Sequence, residues 1–166
     1  MTGMGRVARI LLVDDNRMDV ELTVDAFEQA HLGNEIEVAR TGKEALDRVL
    51  DRSPDADGRI HPLPDLILLD LGMPGADGIE VLRRIKQAPI HKRIPVVILT
   101  SSREEGDRAM AYDAGANSYL VKPVSFEGFV EVVHRLLDYW FILNVRPPDP
   151  ERAAAGPRER AAVDPP

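Results

Sequence analysis

The chain has 166 residues, of which 44% are hydrophobic and 30% charged, proportions that are typical of a globular protein with a full core. Its formal net charge of −7 argues against nucleic-acid binding and against attachment to an anionic membrane surface. The sequence contains no apolar run of transmembrane length, no signal-peptide pattern and no cysteine. Disulfides and thiolate chemistry are therefore excluded, and the composition fits a cytoplasmic protein.

Apolar runs alternate with helical patterns along most of the chain. Five runs predict β-strands over about residues 9–15, 35–39, 65–70, 95–100 and 117–122. Five helices follow them, and they begin near Arg17, Thr41, Asp77, Ser102 and Ser125. The first helix is expected to end near residue 30, the fourth near residue 115 and the fifth near residue 141. Strands that alternate with helices in this way predict an α/β fold with a doubly wound, five-stranded parallel sheet.

Capping residues support three of these helix starts. Asn16 is a suitable N-cap for the first helix. Thr41 with Glu44 has the spacing of a capping box, and so do Ser102 and Glu105.

The two ends of the chain and one internal segment lack such patterns. Residues 1–8 are expected to form a flexible leader, and residues 53–64, which include three prolines, to form a surface loop. Proline, alanine, arginine and glutamate dominate residues 146–166, a composition that is typical of a disordered tail. We therefore expect a single domain over residues 9–145.

The third predicted strand carries the strongest functional signal. Its residues 66–69 are all apolar, which is typical of a strand that is buried on both faces of a parallel sheet. Asp70 follows at the carboxyl end, where open α/β sheets bind their ligands. The alternative is that Asp70 only caps the turn that follows.

Polar residues end three other strands at the same edge of the sheet. Asp14 and Asp15 end the first strand, Thr100 the fourth and Lys122 the fifth. Singly, Asp14 could be a helix-start acid and Lys122 a solvated lysine, but their joint occurrence at strand ends is more specific. Two carboxylates about 4 Å apart repel by about 4 kcal/mol at an effective dielectric of about 20, so such a cluster needs a cation.

Phosphoryl transfer is the chemistry that these residue types favour. Hard carboxylate oxygens, without histidine or cysteine, select Mg²⁺ over zinc. The metal, Lys122 and the Thr100 hydroxyl could together stabilise a phosphoryl group on Asp70. Ser101 and Ser102 are small enough to leave room for that group.

The sequence resembles the receiver domain of two-component response regulators over about residues 9–143. Four segments carry the resemblance, namely 12–16 (LVDDN), 65–70 (DLILLD) with Met73-Pro74 and Asp77-Gly78, 95–100 (PVVILT) and 115–123 (GANSYLVKP). The resemblance implies the (βα)5 flavodoxin-like fold of that family.

The resemblance also implies which residues hold the metal and the phosphoryl group. Asp70 would be the phosphoacceptor, and a sensor histidine kinase would supply the phosphoryl group. Asp15 would bind Mg²⁺ directly, whereas Asp14 would act mainly through water. Asp70 itself and the backbone carbonyl of Gly72 would complete the protein ligands.

A conformational switch is the second implication of the resemblance. Thr100 would swing toward the phosphate, Lys122 would pair with it, and Tyr119 would move inward. The Lys122–Pro123 peptide bond would be cis, a conformation that is essentially restricted to proline.

Gly72 departs from the pattern of many receivers, which carry asparagine at this position. The backbone carbonyl is still available to a metal, but no side chain is present to shield or orient water near the acyl phosphate. The lifetime of the phosphorylated state could therefore change in either direction.

A narrower resemblance bears on the partner and the output. Residues 114–119, the long loop before Asp65 and the ending at residues 138–141 look like the small single-domain response regulators often paired with bacterial or cyanobacterial phytochrome histidine kinases. The residues after Phe141 are too few and too polar for a DNA-binding domain. We therefore expect a stand-alone receiver that acts by docking to proteins.

The last predicted helix has more apolar surface than one buried face requires. Its end could pack under the domain, or the excess could form a homodimer interface, which the family resemblance favours. The candidate interface residues are Phe129, Val133, Leu137, Trp140 and Phe141.

Three other functions would use similar residues. A Mg²⁺-dependent phosphohydrolase of the haloacid-dehalogenase-like family needs a D-x-D motif on its first strand, but this chain has Asp14-Asp15-Asn16. A flavodoxin-like cofactor binder needs a phosphate-cradling loop there, and the two acids would repel phosphate. A scaffold receiver that is never phosphorylated is the third alternative, although every expected functional side chain is present.

Overall fold

The computed structural model describes residues 7–30, 33–73 and 78–148. The strands are β1 (Arg9–Val13), β2 (Glu35–Ala39), β3 (Leu66–Leu69), β4 (Val96–Thr100) and β5 (Ser118–Val121). The helices are α1 (Arg17–Gln29), α2 (Gly42–Leu46), α3 (Gly78–Gln87), α4 (Glu105–Asp113) and α5 (Phe126–Asp138). Wider π-type turns over Asp47–Asp51 and Tyr139–Leu143 extend α2 and α5, and a short 3₁₀ turn covers His91–Arg93.

The five strands form one parallel sheet in the order β2-β1-β3-β4-β5. The reversal of strand order beside β1 is the arrangement of a doubly wound fold, which confirms the predicted fold class. Val13 lies opposite Leu69, and Thr100 lies opposite Val121. This register aligns the carboxyl ends of β1, β3, β4 and β5 along one edge.

Helices cover both faces of β3, the central strand, and all four of its residues are completely buried. Ile67 and Leu69 pack against α2 and α3 on one face, whereas Leu66 and Leu68 pack against α1 and α5 on the other. Each fully buried leucine or isoleucine contributes about 1.5–3 kcal/mol. The backbone that carries Asp70 is therefore held from both sides.

Local hydrogen bonds confirm two of the predicted caps and contradict the third. Asn16 accepts a hydrogen bond from the Asp19 N–H, and Thr41 accepts one from the Glu44 N–H. The prediction of a capping box at Ser102 is wrong, because α4 begins at Glu105 and no side chain caps its first turn. The Ser102 hydroxyl instead donates to Asp107 at 2.6 Å and accepts from the Glu104 N–H.

The structure also revises the expectation for the two ends of the domain. Ala8, placed in the flexible leader, is buried, and its carbonyl accepts a hydrogen bond from the Glu35 N–H at 2.9 Å. Arg146, placed in the tail, lies 3.9 Å from the Asp65 carboxylate and 4.9 Å above the Phe141 ring. Residues 1–6 and 149–166 lie outside the described residues.

The predicted surface loop over residues 53–64 contains no helix or strand. One residue of this loop, Leu63, is buried. His61 holds the loop against the sheet, because its two ring nitrogens lie 2.7 Å from the Glu37 carboxylate on β2 and 2.9 Å from the Asp55 carboxylate.

Three of the five candidate interface residues lie inside the domain. Phe129, Val133 and Leu137 are 6%, 1% and 0% exposed and pack against the sheet. Their placement at a homodimer interface is therefore wrong, because these helically spaced residues form the face of α5 that packs against the core. Trp140 and Phe141 are partly buried against the same core.

No helix among the described residues is long and apolar enough to cross a membrane.

Gly78 allows the start of α3 to approach the turn after β3. A Cβ atom there would lie 2.7 Å from the Asp70 carbonyl oxygen and 2.9 Å from the Leu71 Cα. We expect Gly78→Ala to lower the unfolding free energy by about 1–3 kcal/mol, the usual cost of overpacking.

The control for this prediction is Gly106→Ala in α4, where no other atom would lie within 4 Å of the added Cβ. It should stabilise by up to about 1 kcal/mol in urea denaturation. Equal effects of the two substitutions would contradict this account.

Candidate functional site

Three carboxylates meet at the carboxyl edge of the sheet. Asp14 and Asp15 follow β1, and Asp70 follows the neighbouring strand β3. One carboxylate oxygen from each residue lies within 4.8 Å of the others. Asp14 is only 1% exposed, whereas Asp15 is open to solvent. The three acids that the sequence predicted to converge do so.

Backbone N–H groups orient two of these carboxylates. The Asn16 N–H donates to Asp14 Oδ1 at 2.9 Å, and the Gly72 N–H donates to Asp70 Oδ1 at 3.0 Å. Each bond spans two residues, as in an Asx turn, so each acid also shapes the turn that follows its strand. These contacts leave Asp70 Oδ2 facing Lys122, and Asp70 therefore does more than cap a turn.

Lys122 crosses from β5 to the acids and is the cation of the cluster. Its Nζ donates to Asp14 at 2.9 Å, to Asp19 at 2.9 Å and to Asp70 at 3.4 Å. All peptide bonds in the described residues are trans, so the predicted cis bond at Lys122–Pro123 is wrong. The preference of an X–Pro bond for either form is small, and Lys122 reaches Asp14 with the bond trans.

Burial and pairing act in opposite directions on this ion pair. Burial raises the pKa of the Asp14 carboxyl above its ordinary value, although Lys122 and the Asn16 N–H act against this. Burial alone would lower the pKa of Lys122, but its hydrogen bonds to Asp14 and Asp19 raise that pKa above its ordinary value. Lys122 is therefore a fixed positive charge at neutral pH.

Thr100 and Tyr119 lie on the other side of the site. Thr100 is buried, and its hydroxyl oxygen accepts a long 3.3 Å hydrogen bond from the Ser102 N–H. The Tyr119 hydroxyl donates to the Ser102 carbonyl at 3.0 Å, and its ring packs against the core. Both side chains therefore contact the same loop between β4 and α4.

An open cleft of about 820 Å³ lies over the acids. Its walls come from the loops after β1, β3 and β4, and they include Asp15, Asp70, Thr100 and Ser102. The donor set consists of carboxylate oxygens, which suit a hard divalent cation and not zinc or copper. The residues present therefore fit a site for such a cation.

Asp19 contacts Lys122 at this site, and the sequence analysis missed it. It lies in the first turn of α1, and its carboxylate is 2.9 Å from Lys122 Nζ. Helix phase is the signal that could have identified it. With Asn16 as N-cap, the third residue of the helix points back toward the strand end.

A cluster of carboxylates that suits a divalent cation, a partly buried lysine and a hydroxyl lie on adjacent strand ends of a five-stranded parallel sheet. This combination defines a class of protein that can accept a phosphoryl group on an aspartate. The model of the response regulator receiver domain matches residues 10–134. The chain belongs to the response regulator receiver family.

Relatives in this family are similar over most of the chain. The "Probable methanogenesis regulatory protein FilR2" of Methanothrix harundinacea is 43% identical over 138 residues, which cover 83% of this chain and 86% of the relative. Response regulator Rcp1 of Synechocystis is 37% identical over 131 residues, with coverages of 79% and 87%.

Two solved structures are also similar. The phosphorylated cyanobacterial phytochrome response regulator RcpA has a TM-score of 0.77 at 34% identity, with 86% of this chain and 99% of that chain covered. The Mn²⁺-bound form of Rcp1 has a TM-score of 0.74 at 35% identity, with coverages of 84% and 99%. A relative with this fold therefore binds a divalent cation.

Removing the charge of Lys122 should destabilise the metal-free domain. Without its ammonium, the buried Asp14 carboxylate would have no cation, a situation that costs about 3–5 kcal/mol in a buried ion pair. We expect Lys122→Met to lower the unfolding free energy in chelator by about 2–4 kcal/mol. Lys43→Met, which breaks an exposed pair with Asp47, should leave the urea midpoint close to that of the wild type. Equal losses for the two variants in urea denaturation would show that Lys122 does not hold the cluster together.

Proposed function

We propose that Asp70 accepts a phosphoryl group from a sensor histidine kinase in a Mg²⁺-dependent reaction. An Asp70 carboxylate oxygen attacks phosphorus, a P–O bond forms, and the P–N bond of the phosphohistidine breaks. The histidine nitrogen keeps the bonding electrons and takes up a proton. The observation that carries this proposal is the meeting of Asp14, Asp15 and Asp70 with Lys122 at one sheet edge.

Mg²⁺ is the cation that we propose for the acidic cluster. Asp15 and Asp70 would bind it directly, Asp14 would act mainly through water, and the Gly72 carbonyl would complete the set. When bound, the metal neutralises charge on the phosphoryl oxygens. The Mn²⁺-bound form of the relative Rcp1 supports a divalent cation with a preference for oxygen ligands.

Thr100, Lys122 and Tyr119 are the residues that we propose detect the phosphoryl group. Lys122 would donate to a phosphoryl oxygen, and the Thr100 hydroxyl, which accepts a long 3.3 Å bond from the Ser102 N–H, would turn toward another. Movement of Thr100 would displace the loop that the Tyr119 hydroxyl contacts through Ser102. The adjacent α4 has one buried residue, Ala111, so little apolar contact opposes a shift of this helix.

Docking to other proteins is the output that we propose for this receiver domain. The relative RcpA is described as a phytochrome response regulator, which supports a phytochrome-type histidine kinase as the partner. The chain would catalyse only its own phosphorylation and dephosphorylation and would act on no separate substrate. Turnover of a phosphate ester would instead favour the phosphohydrolase alternative.

A homodimer is the assembly that we propose, through an apolar patch at the end of α5 that differs from the one suggested by the sequence. Trp140 and Phe141 are partly buried members of this patch. The exposed members of this C-terminal patch are Tyr139, Ile142, Leu143 and Val145, which are 50%, 67%, 72% and 91% exposed. A second copy of the chain would cover adjacent apolar side chains that this domain leaves in water.

Incubation with acetyl phosphate and Mg²⁺ tests the phosphoacceptor assignment. We expect one phosphate per chain that is stable in acid and labile in base, because it is an acyl phosphate. It should be absent in chelator, where the carboxylates repel the donor, and absent in Asp70→Asn. Phosphate is measured by the mass of the intact protein, before and after treatment with base.

Asp25→Asn is the matched control, since it removes an exposed carboxylate from α1 away from the site. It should be phosphorylated like the wild type. Labelling that survives Asp70→Asn, or a phosphate on serine, would refute the assignment.

Light scattering tests the dimer. We expect a mass of twice the 18.4 kDa of one chain, and half of that for Leu143→Glu, which places a charge in the C-terminal patch. Ile60→Glu is the control, because Ile60 is 58% exposed in the surface loop over residues 53–64 and is not a member of the patch. A monomeric wild-type protein at high micromolar concentration would exclude the dimer.

A further inference from the structure

Asp19 gives the site a fourth carboxylate that competes for Lys122. An ammonium group has three N–H donors, and Lys122 directs one to each of Asp14, Asp19 and Asp70. The two short contacts, both 2.9 Å, lie on the side of β1 and α1, and the contact to Asp70 is longer at 3.4 Å. The resting position of the lysine is therefore displaced toward Asp19 and Asp14.

The position of Asp19 is well defined by hydrogen bonds of its own backbone. Its N–H donates to the Asn16 side chain at 3.1 Å, and its carbonyl accepts a 2.7 Å hydrogen bond from the Thr23 hydroxyl. Thr23 is completely buried, so this turn of α1 has little freedom to move. The Asp19 carboxylate is thus a fixed acceptor for Lys122, and its side chain is still 36% exposed.

The charges of the site indicate what this acceptor does. A divalent cation and Lys122 together carry +3, which matches the three acids Asp14, Asp15 and Asp70. Asp19 adds a negative charge that this balance does not require. A phosphoryl group on Asp70 brings further negative charge to the same edge, and it must share Lys122 with Asp19.

We propose that Asp19 is a positioning residue that draws Lys122 away from Asp70 and so weakens the hold of this site on a phosphoryl group. The inference rests on the proposed function of Asp70 and extends it, because it identifies a residue that limits the stability of the phosphorylated state. Asp19 acts through Lys122 and does not contact the phosphoryl group. Neutralising Asp19 leaves Lys122 with two anionic partners and strengthens the phosphorylated form.

Beryllium fluoride provides the equilibrium test, because it binds an aspartate oxygen as a tetrahedral mimic of a phosphoryl group without undergoing hydrolysis. Its apparent Kd is measured by calorimetric titration at a fixed, saturating Mg²⁺ concentration. We expect Asp19→Asn to lower this Kd about three- to fivefold, the effect of a partly exposed charge pair. Asp19→Glu, which keeps the charge within reach of Lys122, should stay close to the wild type.

Two controls separate this role from a structural one. Asp25→Asn removes the same charge from an exposed position further along α1, and it should change the Kd by less than about 1.5-fold because solvent and salt screen it. The urea midpoint of Asp19→Asn should stay near that of the wild type, since the asparagine amide oxygen still accepts from Lys122 and the backbone contacts of the turn are unchanged.

Unchanged or weaker binding in Asp19→Asn would overturn the inference. Weaker binding would mean that Asp19 presents Lys122 to the phosphoryl group instead of drawing it away. These results leave the proposed function intact as long as the wild type binds beryllium fluoride and Asp70→Asn does not. If the wild type fails to bind, the proposed function fails, and the role of Asp19 fails with it.

Discussion

Repulsion among carboxylates at one sheet edge is the constraint on which this molecule depends. Asp14, Asp15 and Asp70 have oxygens within 4.8 Å of one another, and Asp14 is almost completely buried. At an effective dielectric of about 20, two unit charges about 4 Å apart repel by about 4 kcal/mol, and exposure to solvent, as at Asp15, reduces this repulsion. Lys122 offsets part of this repulsion through its contacts with Asp14 and Asp70, and the proposed divalent cation would offset more of it.

The fold brings these charges together through backbone register. β1, β3, β4 and β5 end at the same level, so residues far apart in the sequence become neighbours. β3 is buried on both faces, which anchors Asp70, whereas α4 contributes one buried residue. An anchored carboxylate beside a helix with one buried residue is an arrangement in which a local change of charge can shift that helix.

Much of the fold and most of the site were predictable from sequence, because long apolar runs and strand-end polar residues have few alternative explanations. Three of the features that were not predicted show why. Helical spacing shows that one face of α5 is apolar but not what covers it, so Phe129, Val133 and Leu137 were placed at an interface although they form the core. The start of α4 depends on which N–H the Ser102 hydroxyl contacts, and Asp19 joins the site only through a tertiary contact with Lys122.

The unfolding free energy of Asp70→Asn, in chelator and then in Mg²⁺, tests the central claim most directly. Asparagine is nearly the same size as aspartate but removes one charge from the cluster. If repulsion dominates the metal-free site, Asp70→Asn unfolds at higher urea concentration than the wild type in chelator. Mg²⁺ then stabilises the wild type more than the variant, since only the wild type has the full ligand set. An Asp70→Asn variant that is less stable in chelator and gains as much from Mg²⁺ would contradict the account.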